Sequence, residues 1–169
     1  APDPSGWRAL IREDTSALPF LPGAVLRHLE QYPSLENGLN RTEAQILDAV
    51  RSGFRQPGRI FEADQGKEER RFMGDSTFWI YMKNLFESGS PLLKTATGDA
   101  FNMPNAYPRP SEFGQQEILL TQAGAGVLRG ELDWIALRGI DKWLGGVHLT
   151  TENHWRWDGR NRRLVERSS

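Results

Sequence analysis

Two stretches of the chain decide the fold: residues 75–95, DSTFWIYMKNLFESGSPLLKT, and residues 117–128, EILLTQAGAGVL. In the first stretch, apolar side chains recur with the period of a helix, and a Ser-Gly-Ser-Pro run ends that helix before a strand at 92–95. The second stretch is typical of a returning strand that ends at Thr121 and passes into a short helix. We therefore predict a helix, a two-stranded hairpin and a further helix, in that order.

Capping residues mark the helix upstream of these stretches. Asn40 can accept a hydrogen bond from the start of the helix, and Glu43 can reach back to the NH of Asn40, which together form a capping box. This predicts a helix near 41–52, and Gly53 is placed to end it.

Two more helices complete a group of three, near 57–64 and near 75–88. The second of these is expected to take Asp75 or Ser76 as its N-cap. Three helices followed by a two-stranded wing is the order of elements in a winged-helix domain.

The run 120–128, LTQAGAGVL, resembles the LT-x-x-G-x-x-[VL]-L step that follows the wing in many bacterial winged-helix regulators. Thr121 would end the strand and cap the helix, and Gly124 would let that helix pack closely. A generic strand-to-helix step gives the same pattern, so both interpretations remain open.

We therefore predict an α+β protein with a winged-helix core and an appended small antiparallel β-sheet at the C-terminus. Residues 1–17 are expected to form a linker or domain-boundary segment. Residues 18–130 would hold an N-terminal helix, near 22–32, and the winged-helix core. Residues 131–169 would form a Trp-rich β tail packed on that core, since the tail holds four of the six tryptophans.

The tail has the signals of a small antiparallel sheet. Residues 147–150, VHLT, are predicted to form a strand, and residues 155–157 and 163–165 are predicted to form a hairpin. Asp158 and Gly159 are the turn signal of that hairpin.

Several runs of the sequence resemble the C-terminal part of an uncharacterised bacterial family, whose longer members carry another domain of unknown function before this region. The runs that carry the resemblance are 18–21 (LPFL), 37–43 (NGLNRTE), 72–75 (FMGD), 78–79 (FW), 141–149 (DKWLGGVHL) and 155–158 (WRWD). The resemblance covers about 18–164 and implies that the chain is a fragment or a short member. It implies no activity.

Composition excludes several classes of function. The chain has 21 basic and 22 acidic side chains, a net charge of −1, which is not the balance of a strongly basic nucleic-acid binder. It has no cysteine, which excludes disulfides, thiolate metal sites and a cysteine nucleophile, and fits a cytoplasmic protein. No apolar run approaches the length of a membrane span, so we expect no membrane partner.

Two segments of the sequence bear on nucleic-acid binding. The third helix has a net charge of −1 over residues 75–87, where only Lys83 and Asn84 suit contact with DNA. Residues 155–167 carry five arginines against two acidic residues, with interleaved tryptophans that could stack on single-stranded bases. The candidate binding residues of this tail are Trp155, Arg156, Arg160, Arg162 and Arg163. The alternative is an ordinary solvated hairpin whose tryptophans fill the core.

The sequence contains candidate metal ligands and candidate catalytic residues, but none of them is part of a known motif. The tail holds four candidate ligands close together in sequence: His148, Glu152, His154 and Asp158. No helical His-x-x-x-His pattern accompanies them. Ser76 lacks the sequence of a nucleophile elbow, and Asp75 and Asp141, which could pair as acid and base, each suit helix capping. We expect no catalytic residue, no metal and no cofactor.

Asp75, Asp141, Trp143 and His148 form the last candidate set, a structural or functional cluster. We expect Trp143 to be buried, because Leu144 and Val147 flank it. His148 would point to the face opposite Val147. If that face is core, His148 should hydrogen-bond a partner such as Asp141; if it is solvent, His148 joins the Arg-rich surface as a candidate binding residue.

These observations favour a non-enzymatic interaction or scaffold module. Its expected partner is another domain of the same longer chain or a separate protein. The alternative is a DNA-binding regulator domain that uses the third helix and the Arg-rich tail.

Overall fold

The computed structural model describes residues 3–10, 13–87, 89–104 and 111–168, which form a mixture of helices and small antiparallel sheets. The helices are α1 (Ser5–Leu10), α2 (Leu21–Leu29), α3 (Arg41–Arg51), α4 (Pro57–Gln65), α5 (Asp75–Phe86), α6 (Ser111–Gln115), α7 (Gln122–Leu128) and α8 (Trp134–Arg138). The strands are β1 (Leu93–Thr95), β2 (Ile118–Leu120), β3 (Asp141–Leu144), β4 (Val147–Thr150), β5 (Asn153–Asp158) and β6 (Arg163–Ser168). The α+β class is confirmed.

The chain divides into two compact units. One unit combines residues 1–41 with 133–169, and the other is the continuous segment 42–132. Helix α2, expected with the winged-helix core, therefore shares a unit with the tail. Residues 1–17, expected as a linker, contain helix α1, although residues 1, 2, 11 and 12 lie outside the described residues.

The three predicted helices of the 42–132 unit are present, as α3, α4 and α5. Helix α3 ends as expected, because Gly53 has a φ of +98° and its NH donates to Val50 O while Phe54 NH donates to Ala49 O. This is a Schellman motif. The expected N-cap of α5 is wrong: Gly74 caps the helix and Asp75 is its first residue. A carboxylate in the first turn still favours the helix through its dipole.

The predicted hairpin of this unit is confirmed. Strands β1 and β2 pair antiparallel, with Leu93 opposite Leu120 and Thr95 opposite Ile118. The step that follows also has the expected geometry, since the Thr121 side chain accepts from Gly124 NH at 2.9 Å and caps α7. A Cβ atom on Gly124 would overlap the carbonyl oxygen of Leu92, so only glycine fits at this contact.

Aromatic rings join three helices in the core of the same unit. Phe61 of α4 packs edge-on against Phe78 of α5, with ring centroids 5.1 Å apart. Trp79 of α5 packs against Phe113 of α6 at 4.9 Å. Such edge-to-face contacts add to the free energy gained from burial. Phe78 and Trp79 are almost completely buried.

The other unit holds two separate two-stranded antiparallel sheets, β3–β4 and β5–β6. All three predicted strand segments of the tail are confirmed, but the turn of the second hairpin is longer than the Asp-Gly signal indicates. Asp158 pairs with Arg163, which leaves residues 159–162 as a four-residue loop. The Asp158 carboxylate accepts from the NH and the side-chain amide of Asn161, and these bonds hold the loop.

The core of this unit is shared between α2 and the tail. Its buried members are Val25, Leu29, Tyr32, Ile135, Ile140, Val147, Leu149 and Trp157. The segment after α2 is fastened to β5, because Leu35 NH donates to Trp157 O and Trp157 NH donates to Pro33 O. The tail strands therefore depend on residues from the start of the chain for their buried face.

Candidate functional site

The β3–β4 hairpin is a short, tightly fixed element. Leu144 pairs with Val147, so only Gly145 and Gly146 form the turn, with φ values of +57° and +82°. Two positive φ values match a type I′ turn, which suits the twist of paired strands. A Cβ on Gly145 would lie 2.5 Å from His28 Nε2, so the turn closely approaches the end of this α2 side chain.

One face of this hairpin belongs to the core. Val147 and Leu149 are buried there. The Tyr32 hydroxyl donates to the carbonyl of Leu144 at 3.3 Å, and burial raises the pKa of Tyr32 to about 12, so it remains a donor. These contacts hold the hairpin by its inner side.

The opposite face of the hairpin points to solvent. Strand alternation places four residues on it, which we call the hairpin face: Asp141, Trp143, His148 and Thr150. The expected burial of Trp143 is wrong, because 69% of this residue is exposed. Of the two alternatives for His148, the structure therefore shows the solvent-facing one.

Three of the four candidate cluster residues meet on the hairpin face. Trp143 and His148 are directly opposite each other, and their rings stack with centroids 4.7 Å apart and planes 5° apart. His148 Nε2 lies 2.7 Å from Asp141 Oδ1, a geometry in which the ring NH donates to the carboxylate. Asp75 belongs to the other unit, where it begins α5.

The Asp141 carboxylate is open to solvent. Its side chain is 85% exposed, and within the described part of the chain its hydrogen-bond and ion-pair partner is His148 alone. The hairpin face thus combines a large exposed ring with a carboxylate that, among the described residues, no lysine or arginine neutralises.

Arg156, a candidate binding residue, is instead part of a buried network. Its guanidinium donates to both oxygens of Asp133, at 2.7 and 3.0 Å, and to Ser34 O at 3.1 Å. Its Nε also donates to His154 Nε2 at 2.9 Å, so the proton of that ring is on Nδ1 and faces Thr150 O. Arg156 is therefore unavailable to a ligand.

Asp133 is a residue that the sequence analysis missed. Burial opposes its ionisation, but hydrogen bonds from Arg156 and from Ala136 NH outweigh burial and lower its pKa. Asp133 also caps α8 through Ala136 NH at 3.0 Å. The signal in the sequence is an aspartate directly before the apolar run 134–137.

The other tail candidates do not make one aromatic and basic surface. Trp155 packs against the core cluster, while Arg160, Arg162 and Arg163 are exposed near the loop 159–162. Two of these arginines have acidic neighbours: Arg160 lies 3.7 Å from Glu36, and Arg163 lies 3.5 Å from Asp158. Trp155 thus faces the core, whereas these guanidinium groups are at the loop end of the hairpin.

The outer face of α5 carries little positive charge. Lys83 Nζ lies 3.5 Å from Glu87 Oε2, and Asn84 is exposed. Ile80, on the same helix, is 53% exposed. A partner that contacted this face would meet a lysine already paired with a glutamate, and an exposed isoleucine.

Comparison with protein-family models, with curated proteins and with solved structures found no match to this chain. Across the described residues no helix has the length and apolar character of a membrane span. Likewise, the described part of the chain contains no group of three or more His, Cys, Asp or Glu side chains arranged to hold a metal ion.

Proposed function

We propose that this chain is a non-enzymatic interaction module that binds a protein partner through the hairpin face. The observation that carries the proposal is Trp143, a residue that is 69% exposed on a hairpin held on its inner side by Tyr32. Tryptophan is the residue most enriched at binding hot spots, where its large apolar area is buried by the partner. A ring that is already held in place loses little entropy on binding.

A winged-helix scaffold is part of this proposal, and the pairing of β2 supports it. Glu117 O accepts from Ala96 NH on the β1 side, and Ile118 NH donates to Arg55 O, each at 2.8 Å. The carbonyl and NH of one peptide unit point in opposite directions. The connection between α3 and α4 therefore lies along the edge of β2 away from β1, as expected when a wing packs beside three helices.

Duplex DNA is the second candidate partner, and the charges disfavour it. A helix that enters the major groove needs unpaired basic residues for phosphates, whereas Lys83 is paired with Glu87. The composition, without cysteine, favours a cytoplasmic setting for either partner.

Selection from a random peptide library tests the proposal. The immobilised full chain should enrich peptides that bind the wild type and Phe72→Ala but fail to bind Trp143→Ala. Phe72 is a matched control, since it is another aromatic residue, 56% exposed, in the other unit. Thermal melts of both variants should match the wild type. Enrichment of no peptide that depends on Trp143 would overturn the proposed function.

A further inference from the structure

We propose that the hairpin face recognises an arginine side chain, which stacks on Trp143 and pairs with the carboxylate of Asp141. This inference rests on the proposed function and names the chemistry of the partner. The residues that carry it are Asp141, Trp143 and His148.

Trp143 offers a flat platform. One face of its indole is covered by the parallel imidazole of His148, and within the described residues no other ring or cation stacks on it. The residue is nonetheless 69% exposed, so the remaining indole surface is open. The face of an indole ring is the best aromatic partner for a cation, and a planar guanidinium can lie flat on it.

Asp141 supplies the charge beside this platform. It is two residues from Trp143 on the same face of β3, which separates their Cα atoms by about 6.6 Å. His148 holds the carboxylate through Oδ1, so the second oxygen, Oδ2, remains free to accept. The negative charge of this carboxylate therefore favours a cation at Trp143, and a guanidinium carries five NH donors for such an oxygen.

Other occupants fit less well. A phosphate or a nucleic-acid backbone would meet the Asp141 carboxylate as a like charge. An apolar side chain would cover Trp143 but would also take an 85% exposed carboxylate out of water without a cationic partner. Lysine satisfies the charge, but its compact ammonium lacks the planar stacking of arginine.

The test uses the tightest peptide from the library selection, synthesised with arginine, lysine or citrulline at its cationic position. Citrulline keeps the shape of arginine without its charge. We expect the citrulline peptide to bind the full chain about tenfold more weakly than the arginine peptide, with lysine between them. Isothermal titration calorimetry at low salt measures each dissociation constant.

Matched variants of the protein test whether the Asp141 carboxylate is the group that pairs with the arginine of the peptide. Asp141→Asn should weaken the arginine peptide about tenfold and should leave the citrulline peptide unchanged. Asp99→Asn, an exposed carboxylate in the other unit, should change neither. Trp143→Phe should keep part of the binding that Trp143→Ala loses, because phenylalanine retains a ring face.

The outcomes separate this inference from the proposed function. Selected peptides that depend on Trp143 but contain no cationic residue would overturn the arginine assignment and leave the interaction module standing. Equal binding of the arginine and citrulline peptides, or an unchanged affinity in Asp141→Asn, would also overturn it. Equal binding of the arginine and lysine peptides would contradict the choice of arginine.

Discussion

At the scale of single residues, Gly124 is a position where the neighbouring backbone leaves no room for a side chain. We predict that Gly124→Ala lowers the free energy of unfolding by about 1–3 kcal/mol, because the new Cβ would overlap Leu92 O and the chain must shift. Gly58→Ala is the control, since no atom lies within 4 Å of a Cβ built there. Urea unfolding measures both, and an unchanged midpoint in Gly124→Ala would show that α7 does not pack against Leu92 as described.

His154 makes stability depend on pH. Burial, followed by the charge of Arg156, lowers its pKa, and the nitrogen that would be protonated accepts from Arg156 Nε. Near the ordinary histidine pKa of about 6.5 the unfolded chain therefore binds more protons than the folded chain. The free energy of unfolding should fall as the pH falls from about 7.5 to about 5.5.

The control for this pH effect is His154→Gln, which can still accept from Arg156 but does not titrate. Its stability should fall less steeply over the same pH range. Some slope should remain, because burial also lowers the pKa of His28. Urea unfolding at several pH values measures the slopes, and equal slopes for the wild type and His154→Gln would contradict the network around Arg156.

At the scale of elements, α5 and the β5–β6 loop should bind duplex DNA weakly and without sequence preference. The outer face of α5 has one paired lysine, whereas the loop at residues 159–162 has exposed arginines that can contact phosphates. Fluorescence anisotropy at physiological salt should therefore give a dissociation constant weaker than about 10⁻⁶ M.

Two variants separate the elements in that measurement. Replacing the exposed arginines of the loop with alanine should weaken the binding, whereas Lys83→Ala should change it little. Sequence-selective binding tighter than micromolar, lost in Lys83→Ala, would instead favour a DNA-reading helix.

Periodicity in the sequence was enough to predict α3, α4, α5 and the β1–β2 pair. It failed for Trp143, because we judged burial from the apolar neighbours Leu144 and Val147. Strand alternation puts Leu144 on the opposite face from Trp143, and the two-glycine turn pairs Trp143 with His148. The same rule gave the correct face for His148 relative to Val147.

The buried network of Arg156 could not be predicted from local sequence patterns. Its partners Ser34 and Asp133 are 122 and 23 residues away in sequence, so no spacing rule connects them. Five arginines in a short tail are typical of a solvated or nucleic-acid-binding surface, and only the fold shows that one of them is buried. Helix α8 was missed because it has only five residues, Trp134–Arg138.

At the scale of the whole molecule, the two units should differ in their ability to fold alone. Residues 42–132 form one continuous segment with its own aromatic core, so this fragment should show helical circular dichroism and a cooperative melt. Residues 133–169 should be unfolded alone, because Val25, Leu29 and Tyr32 of the first forty residues complete their core. A dispersed NMR spectrum from the isolated tail would contradict this division.

The central claim is that Trp143 acts in recognition rather than in folding. Its most direct test is the dissociation constant of Trp143→Ala for a peptide selected on the wild type, measured below the melting temperature of both proteins. We predict a loss of about 30-fold, corresponding to a hot-spot contribution of about 2 kcal/mol, with an unchanged melting temperature. An unchanged dissociation constant, or a melting temperature lowered as for a buried aromatic residue, would contradict the account.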